Sequence, residues 1–257
     1  MNVTCKFEGR YGNNLFQVAA MMGLCARTGQ KWGIPKNYHH RPIYVHRFPI
    51  FTGNPRKLHY YNDLGVENHG YKEIPHFPQG AVLHGFFQSH LYFDHIKDEV
   101  INRFNFANYP QYKDFTSVHI RLGDYVEHSD SFPPVTLDYI KQAFEITKPK
   151  KVLVFSDEVY KCRSMFGEFT DIHFEFSPGK KEQPNGGRTE FEQISAMSSC
   201  QNNIIANSSF SYWGAYCNRN PDKIVVSPHY LSWFGPRAAE LDTSALLPPD
   251  WTQIRFR

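Results

Sequence analysis

Apolar positions along this chain fall into short continuous runs, separated by stretches where they recur every third or fourth residue. The first run, 2–7, reads as a strand, and a Gly-containing loop follows at 8–13. Leu15, Val18, Ala19, Met22 and Ala26 then form one stripe, which predicts a helix over 14–27. Residues 33–80 are dense in Pro, His, Tyr and Gly and read as loops; a strand at 81–87 and a helix at 91–104 come next. After a linker-like segment, "NFANYPQYKDF" (105–115), strands are expected at 116–121, 152–156, 172–176, 203–207 and 223–227. Helices are expected between them, at 136–147, 158–166, 189–200 and 209–218. Such alternation predicts βαβ units and a parallel sheet, an α/β fold. Ligands of parallel sheets gather beyond the carboxyl ends of the strands. His119, Arg121, Asp124, Ser156, Asp157, Asn207 and Ser208 all fall at or just past those ends.

A length of 257 residues suits one large domain or two of roughly 100–150 residues each. Apolar residues at 41% and aromatics at 16% supply a substantial core. The net charge of +3 is too small to make nucleic acid the default partner. No run reaches the ~18–20 apolar residues of a membrane span, and the start lacks a signal peptide's basic and apolar regions. The chain therefore reads as cytosolic. Five cysteines, an odd number without a C-x-x-C pair, read as core thiols, and the sequons at Asn2 and Asn207 carry no weight in a cytosolic chain.

Three strand ends carry candidate chemistry. In "VHIRLGDYV" (118–126), Gly123 permits a sharp turn after Arg121, whose forked donors suit a diphosphate. Asp124 could orient that arginine or accept a hydroxyl proton, with Glu127 and His128 behind it; a purely structural Arg–Asp pair is the other reading. In "NIIANSSFSYWGAYC" (203–217), Asn207, Ser208 and Ser209 open a helix, either as an anion site or as an ordinary N-cap. "VLVFSDEVY" (152–160) ends in adjacent acids, which fit a capped helix start as well as a metal. Thirteen histidines include His39, His40 and His46, and His84, His90 and His95, but none is spaced as a zinc site; no metal is expected.

Together these segments resemble the α-1,2-fucosyltransferases, glycosyltransferase family 11. "GRYGNNLFQVAAM" (9–21) is similar to their Gly-Gly-Leu-Gly-Asn-Gln-x-Phe-Gln-x-Ala opening, and "HGFFQSHLYF" (84–93) to their Gly-Tyr-x-Gln-Ser segment. "VHIRLGDYV" resembles the His-x-Arg-Arg-Gly-Asp-Tyr signature, "VFSDE" (154–158) the Phe-Ser-Asp-Asp element, and 194–228 the last motif. Leu122 stands for the second signature arginine, Arg10 for a glycine, Tyr11 for a leucine and Tyr212 for a tryptophan.

The resemblance implies a GT-B type architecture, two Rossmann-like domains facing each other across a cleft. Residues 1–112 would form the acceptor side and 113–257 the domain binding the nucleotide sugar. It also implies transfer of L-fucose from GDP-L-fucose, with inversion and without a required metal, to a glycan hydroxyl, α-1,2 to galactose or a related sugar. Arg121 and Asp124 would be the catalytic pair. Donor contacts would come from His119, Arg121, Asp157, Asn207, Ser208, Ser209 and Phe210, with Arg10 and Asn13 from the first domain. Arg10 would return the charge lost at Leu122. By analogy with related fucosyltransferases, Glu192 would hold the guanine edge. The alternatives are a different nucleotide sugar, or a glycan-binding relative that has lost activity.

Overall fold

The computed structural model of the chain describes residues 2–36, 42–63, 70–236 and 241–256. The chain divides into two compact units, Met1–Asn105 with Glu240–Pro248, and Phe106–Ala239 with Pro249–Arg257. Residues 106–112, assigned to the first domain from sequence, pack in the second unit instead. Ala107 N–H donates to Ser195 Oγ (3.1 Å), Tyr109 N–H donates to Ser199 Oγ (2.9 Å), and Tyr112 joins the core beside Phe115. Residues 241–248 return to the first unit, where Ser89 Oγ donates to the Ala245 carbonyl at 2.5 Å.

The first unit holds three parallel strands in the order β1 (Val3–Lys6), β3 (Ala81–His84), β2 (His59–Asn62). Helix α1 (Tyr11–Thr28) starts three residues earlier than the apolar stripe indicates and so takes in Asn13. Its burial extends well beyond that stripe, to Gly12, Asn14 and Gln17. At Gly23 a Cβ would lie 1.9 Å from the Tyr92 carbonyl oxygen, so only glycine lets the helix approach that backbone. The helix expected at 91–104 is in fact two 3₁₀ turns, His90–Tyr92 and Asp94–Ile96, followed by α2 (Lys97–Phe104).

The second unit is built on six parallel strands. These are β4 (Thr116–Ile120), β5 (Lys151–Ser156), β6 (His173–Ser177), β7 (Asn202–Ile204), β8 (Val225–Pro228) and β9 (Thr252–Ile254). Their order is β6-β5-β4-β7-β8-β9. Alternate residues of β5 serve opposite faces, as a pleated strand requires. Val152 and Val154 share a core with Tyr139, Ile140 and Ala143 of α4 (Leu137–Thr147) and with Val159 and Cys162 of α5 (Val159–Cys162). Leu153 and Phe155 share another with Ala196 and Met197 of α6 (Glu190–Ser198). Helices therefore cover both faces of the sheet. The segment 158–166 forms only one α turn, α5, and a 3₁₀ turn, Arg163–Phe166. Two short helices flank the carboxyl ends: α3 (Gly123–Glu127) and α7 (Ser209–Tyr216). No described helix is long and apolar enough to cross a membrane.

Candidate active site

The strand order runs outward from β4 in two directions. β4, β5 and β6 follow one another to one side, and the chain then returns through α6 to place β7, β8 and β9 on the other. The order reverses between β4 and β7, which makes the space beyond their carboxyl ends the topological switch point, the customary ligand position in a doubly wound sheet. Arg121 leaves β4 there, Asn207 and Ser208 stand between β7 and α7, and Ser209 is the first residue of α7.

Arg121 is held in a bracket of two carboxylates. Its Nε and Nη2 donate to Asp124 Oδ1 at 3.1 and 2.6 Å, and its Nη1 lies 3.0 Å from Asp157 Oδ2. Two of the five guanidinium N–H groups are thus hydrogen-bonded to Asp124 and Nη1 is ion-paired with Asp157, so donors remain for another anion. Asp157 also accepts the Leu122 N–H at 2.9 Å through Oδ1, so it fixes the turn as well as the side chain. Gly123 lies against the same carboxylate: a Cβ there would be 2.3 Å from Asp157 Oδ2. Tyr125 completes the bracket. Its ring lies under the guanidinium at 5.6 Å, and its hydroxyl donates to the Asn207 carbonyl at 3.0 Å, linking the two strand ends.

His119 is sealed behind this turn. It is 4% exposed, its Nδ1 is 2.9 Å from Ser211 Oγ, and its ring meets Phe210 at 5.6 Å. Burial, aided by the Arg121 charge, pushes its pKa down to about 3, so the imidazole is neutral at physiological pH. Ser208 is the N-cap of α7 and accepts the Phe210 N–H at 3.4 Å. Asn207 is buried, with Nδ2 donating to the carbonyls of Pro133 (3.0 Å) and Trp233 (2.9 Å), while Oδ1 has no hydrogen-bond partner among the described residues. Its amide nitrogen ties two loops to the end of β7.

The remaining sequence candidates make contacts of their own. Glu192 is the third residue of a capping box on α6; its Oε2 accepts from Thr189 N and Thr189 Oγ1, both at 2.8 Å. Those two bonds hold its carboxyl below the ordinary value. Leu122 turns toward the core around Val118 and Ile120. Arg10, an exposed N-cap residue of α1, and Asn13, which accepts from Gln88 Nε2 at 2.9 Å, belong to the first unit. Among the described residues no group of three or more His, Cys, Asp or Glu side chains could hold a metal. His46, His90 and His95 make local bonds to the Phe104 carbonyl (2.6 Å), Asp94 (3.2 Å) and the Gly23 carbonyl (3.2 Å); His39 and His40 lie outside the described residues. Tyr125 and Ser211 are site residues that the motif reading passed over. The signal for Tyr125 was its position directly after Gly-Asp in the signature; Ser211 had none beyond its helix.

Known proteins resemble this chain in sequence. The chain is 37% identical over 128 residues to the O-antigen biosynthesis glycosyltransferase WbnK of Escherichia coli, covering 46% of this chain and 39% of that protein. It is 30% identical over 145 residues to an α-1,2-colitosyltransferase of Escherichia coli, covering 54% and 47%. With galactoside α-(1,2)-fucosyltransferase 2 of Oryctolagus cuniculus the identity is 23% over 293 residues, 98% of this chain and 76% of that protein. The chain thus spans less than half the length of the two bacterial relatives. A solved structure, the NodZ α-1,6-fucosyltransferase co-crystallised with GDP, aligns with 83% of this chain and 91% of its own at 13% identity and a TM-score of 0.48. The sequence profile of Glycosyl transferase family 11 matches residues 57–255, and with that match over most of its length the chain belongs to glycosyl transferase family 11.

Proposed function

We propose that this chain is an inverting transferase moving L-fucose from GDP-L-fucose to a glycan hydroxyl, α-1,2 to galactose or a related sugar. The observation that carries the reading is the switch point itself, with Arg121 on one strand end and the Ser208-capped helix start on the other. Breaking the bond between the sugar and GDP develops charge on the diphosphate. The remaining N–H donors of Arg121 and the first turn of α7 are suited to stabilise it, the work a metal ion does in other transferases. On this reading no metal is required.

Asp124 and Asp157 aim the guanidinium, while Tyr125, His119 and Phe210 shape the wall beside it. Ser209, Asn207 and Glu192 remain donor contacts by family resemblance, as do Arg10 and Asn13 from the first unit. The first unit serves the acceptor and the second the nucleotide sugar. Five buried, unpaired cysteines suit a cytosolic location.

The test is GDP release from GDP-fucose in the presence of galactose-terminated glycans, with and without EDTA. Acceptor-dependent release, unchanged by EDTA, is expected; no turnover would favour a glycan-binding relative. A different nucleotide sugar is a second reading, favoured by Leu122 in place of the second arginine. Strong preference for another donor in a nucleotide-sugar panel would establish it.

A further inference from the structure

Three aromatic rings continue outward from Arg121. Tyr125, under the guanidinium, stacks on Phe132 at 5.3 Å with 24° between the ring planes, and Phe132 meets Phe234 edge-on at 5.7 Å. All four residues belong to the second unit. The row is not closed over: Phe132 is 36% exposed, and Val126, beside Tyr125 in α3, is 60% exposed. One exposed phenylalanine alone would mean little, but an open ring face at the end of a row that starts on the diphosphate arginine is a prepared apolar surface.

The loops that carry Phe132 and Phe234 are tied to each other and to the end of β7. Phe132 N–H donates to the His128 carbonyl and Gly235 N–H to the Ser131 carbonyl, both at 2.8 Å. The next pair of backbone groups is held by Asn207, whose Nδ2 reaches the carbonyls of Pro133 and Trp233. Phe132 is therefore placed before a ligand arrives, and little ordering remains to be done on binding.

The same residues discriminate between the two ends of a nucleotide sugar. A base is recognised along its polar edge, and the row offers that edge nothing. Phe132 and Phe234 carry no polar group, and the Tyr125 hydroxyl is engaged by the Asn207 carbonyl. The sugar is bonded directly to the diphosphate, and L-fucose is a 6-deoxy sugar whose C6 methyl needs no partner. Against an open ring that methyl gains by leaving water, whereas a hydroxymethyl would bring a hydroxyl there without a partner.

We propose that Phe132 receives the methyl side of the transferred sugar and makes the site selective for a 6-deoxyhexose, with Tyr125 and Phe234 as positioning residues. The inference rests on the fucosyl-transfer reading, with Arg121 at the diphosphate. GDP-L-galactose differs from GDP-L-fucose only by a hydroxyl on C6 and is the discriminating probe. An apolar surface separates such a pair by about 10²-fold at most.

The test is calorimetry on the full chain with GDP, GDP-L-fucose and GDP-L-galactose. The wild type should bind GDP-L-fucose about 10–100-fold tighter than GDP-L-galactose. Phe132→Ala should weaken GDP-L-fucose by about 5–10-fold, bring the two donors close together and leave GDP affinity unchanged. Phe132→Leu keeps an apolar group and should retain most of the preference, with a melting temperature near wild type. No preference in the wild type, or an undiminished preference in Phe132→Ala, would overturn the proposal. So would an equal loss for GDP and GDP-L-fucose, which would assign the row to the base. Each of these results leaves transfer from GDP-fucose to galactose-terminated glycans standing; a wild type without that turnover overturns the fucosyl reading and the proposal with it.

Discussion

Asp157 grips Arg121 from below the turn: its Oδ2 is 3.0 Å from Nη1, while its Oδ1 holds the backbone of the next residue. The arginine side chain is 18% exposed and the aspartate 16%. A cation so bracketed is oriented before any ligand arrives, and orientation is what a diphosphate-binding arginine must provide.

Replacing Arg121 with alanine is expected to reduce kcat/KM for transfer by about 10²–10³-fold, the usual effect of losing one preorganised charge donor. It also strands Asp157 without its cation, so some stability should go as well. Arg121→Lys separates the two effects: it keeps a charge near Asp157 but cannot bridge both carboxylates. It should hold the melting temperature better than alanine while recovering little activity. Steady-state kinetics beside thermal melts decide the matter; full activity in either variant would remove Arg121 from the site.

Gly123 is a packing requirement more than a conformational one. An alanine Cβ would sit 2.3 Å from Asp157 Oδ2, so the carboxylate must move away from Arg121 and the Leu122 N–H. Gly123→Ala should cost about 1–3 kcal/mol in urea unfolding. It should also lower GDP affinity, because the bracket opens. In an Asp157→Ala background the same substitution should cost less, since nothing is left to collide with.

Leu122 marks where this chain leaves the family signature. Its side chain packs on the core around Val118 and Ile120, so the position does not present a group toward a ligand. Restoring the signature with Leu122→Arg would force a guanidinium into that apolar contact or swing the turn outward. We expect a loss of about 1–3 kcal/mol of stability and no gain in GDP affinity. Tighter GDP binding with unchanged stability would show that the turn can present two arginines.

The switch point was legible because it depends on long-range alternation: the buried strands β4 and β7 end shortly before Arg121 and Asn207, and a helix follows each. β2 and β9 were not. His59–Asn62 is mostly exposed, and Thr252–Ile254 is a three-residue edge strand; both pair through backbone on one side only and need no apolar pattern. Helix α1 ran past its predicted start because Tyr11 and Gly12 are buried outside the apolar stripe. The bracket was half visible: Arg121 and Asp124 are three residues apart, but Asp157 arrives from the neighbouring strand and its target includes a backbone N–H.

His119 supplies the last test, because its burial makes a pH-dependent claim. With a pKa near 3, against an ordinary value of 6.5, its imidazole signals should stay constant in NMR spectra recorded from about pH 8 down to pH 5. Unfolded chains take up that proton near 6.5 and the folded state does not. Stability from this residue is therefore intact above 6.5 and falls as pH drops from there toward 3. The slope is about 1.4 kcal/mol per pH unit per proton once the unfolded group is charged. His119→Asn keeps a hydrogen-bonding group for Ser211 but removes the proton site. Its unfolding free energy, followed from about pH 7 to pH 5, should decline less steeply than the wild type's, whatever its value at neutral pH. Parallel slopes, or an His119 resonance titrating near 6, would mean that the residue reaches solvent and that the wall behind Arg121 is open.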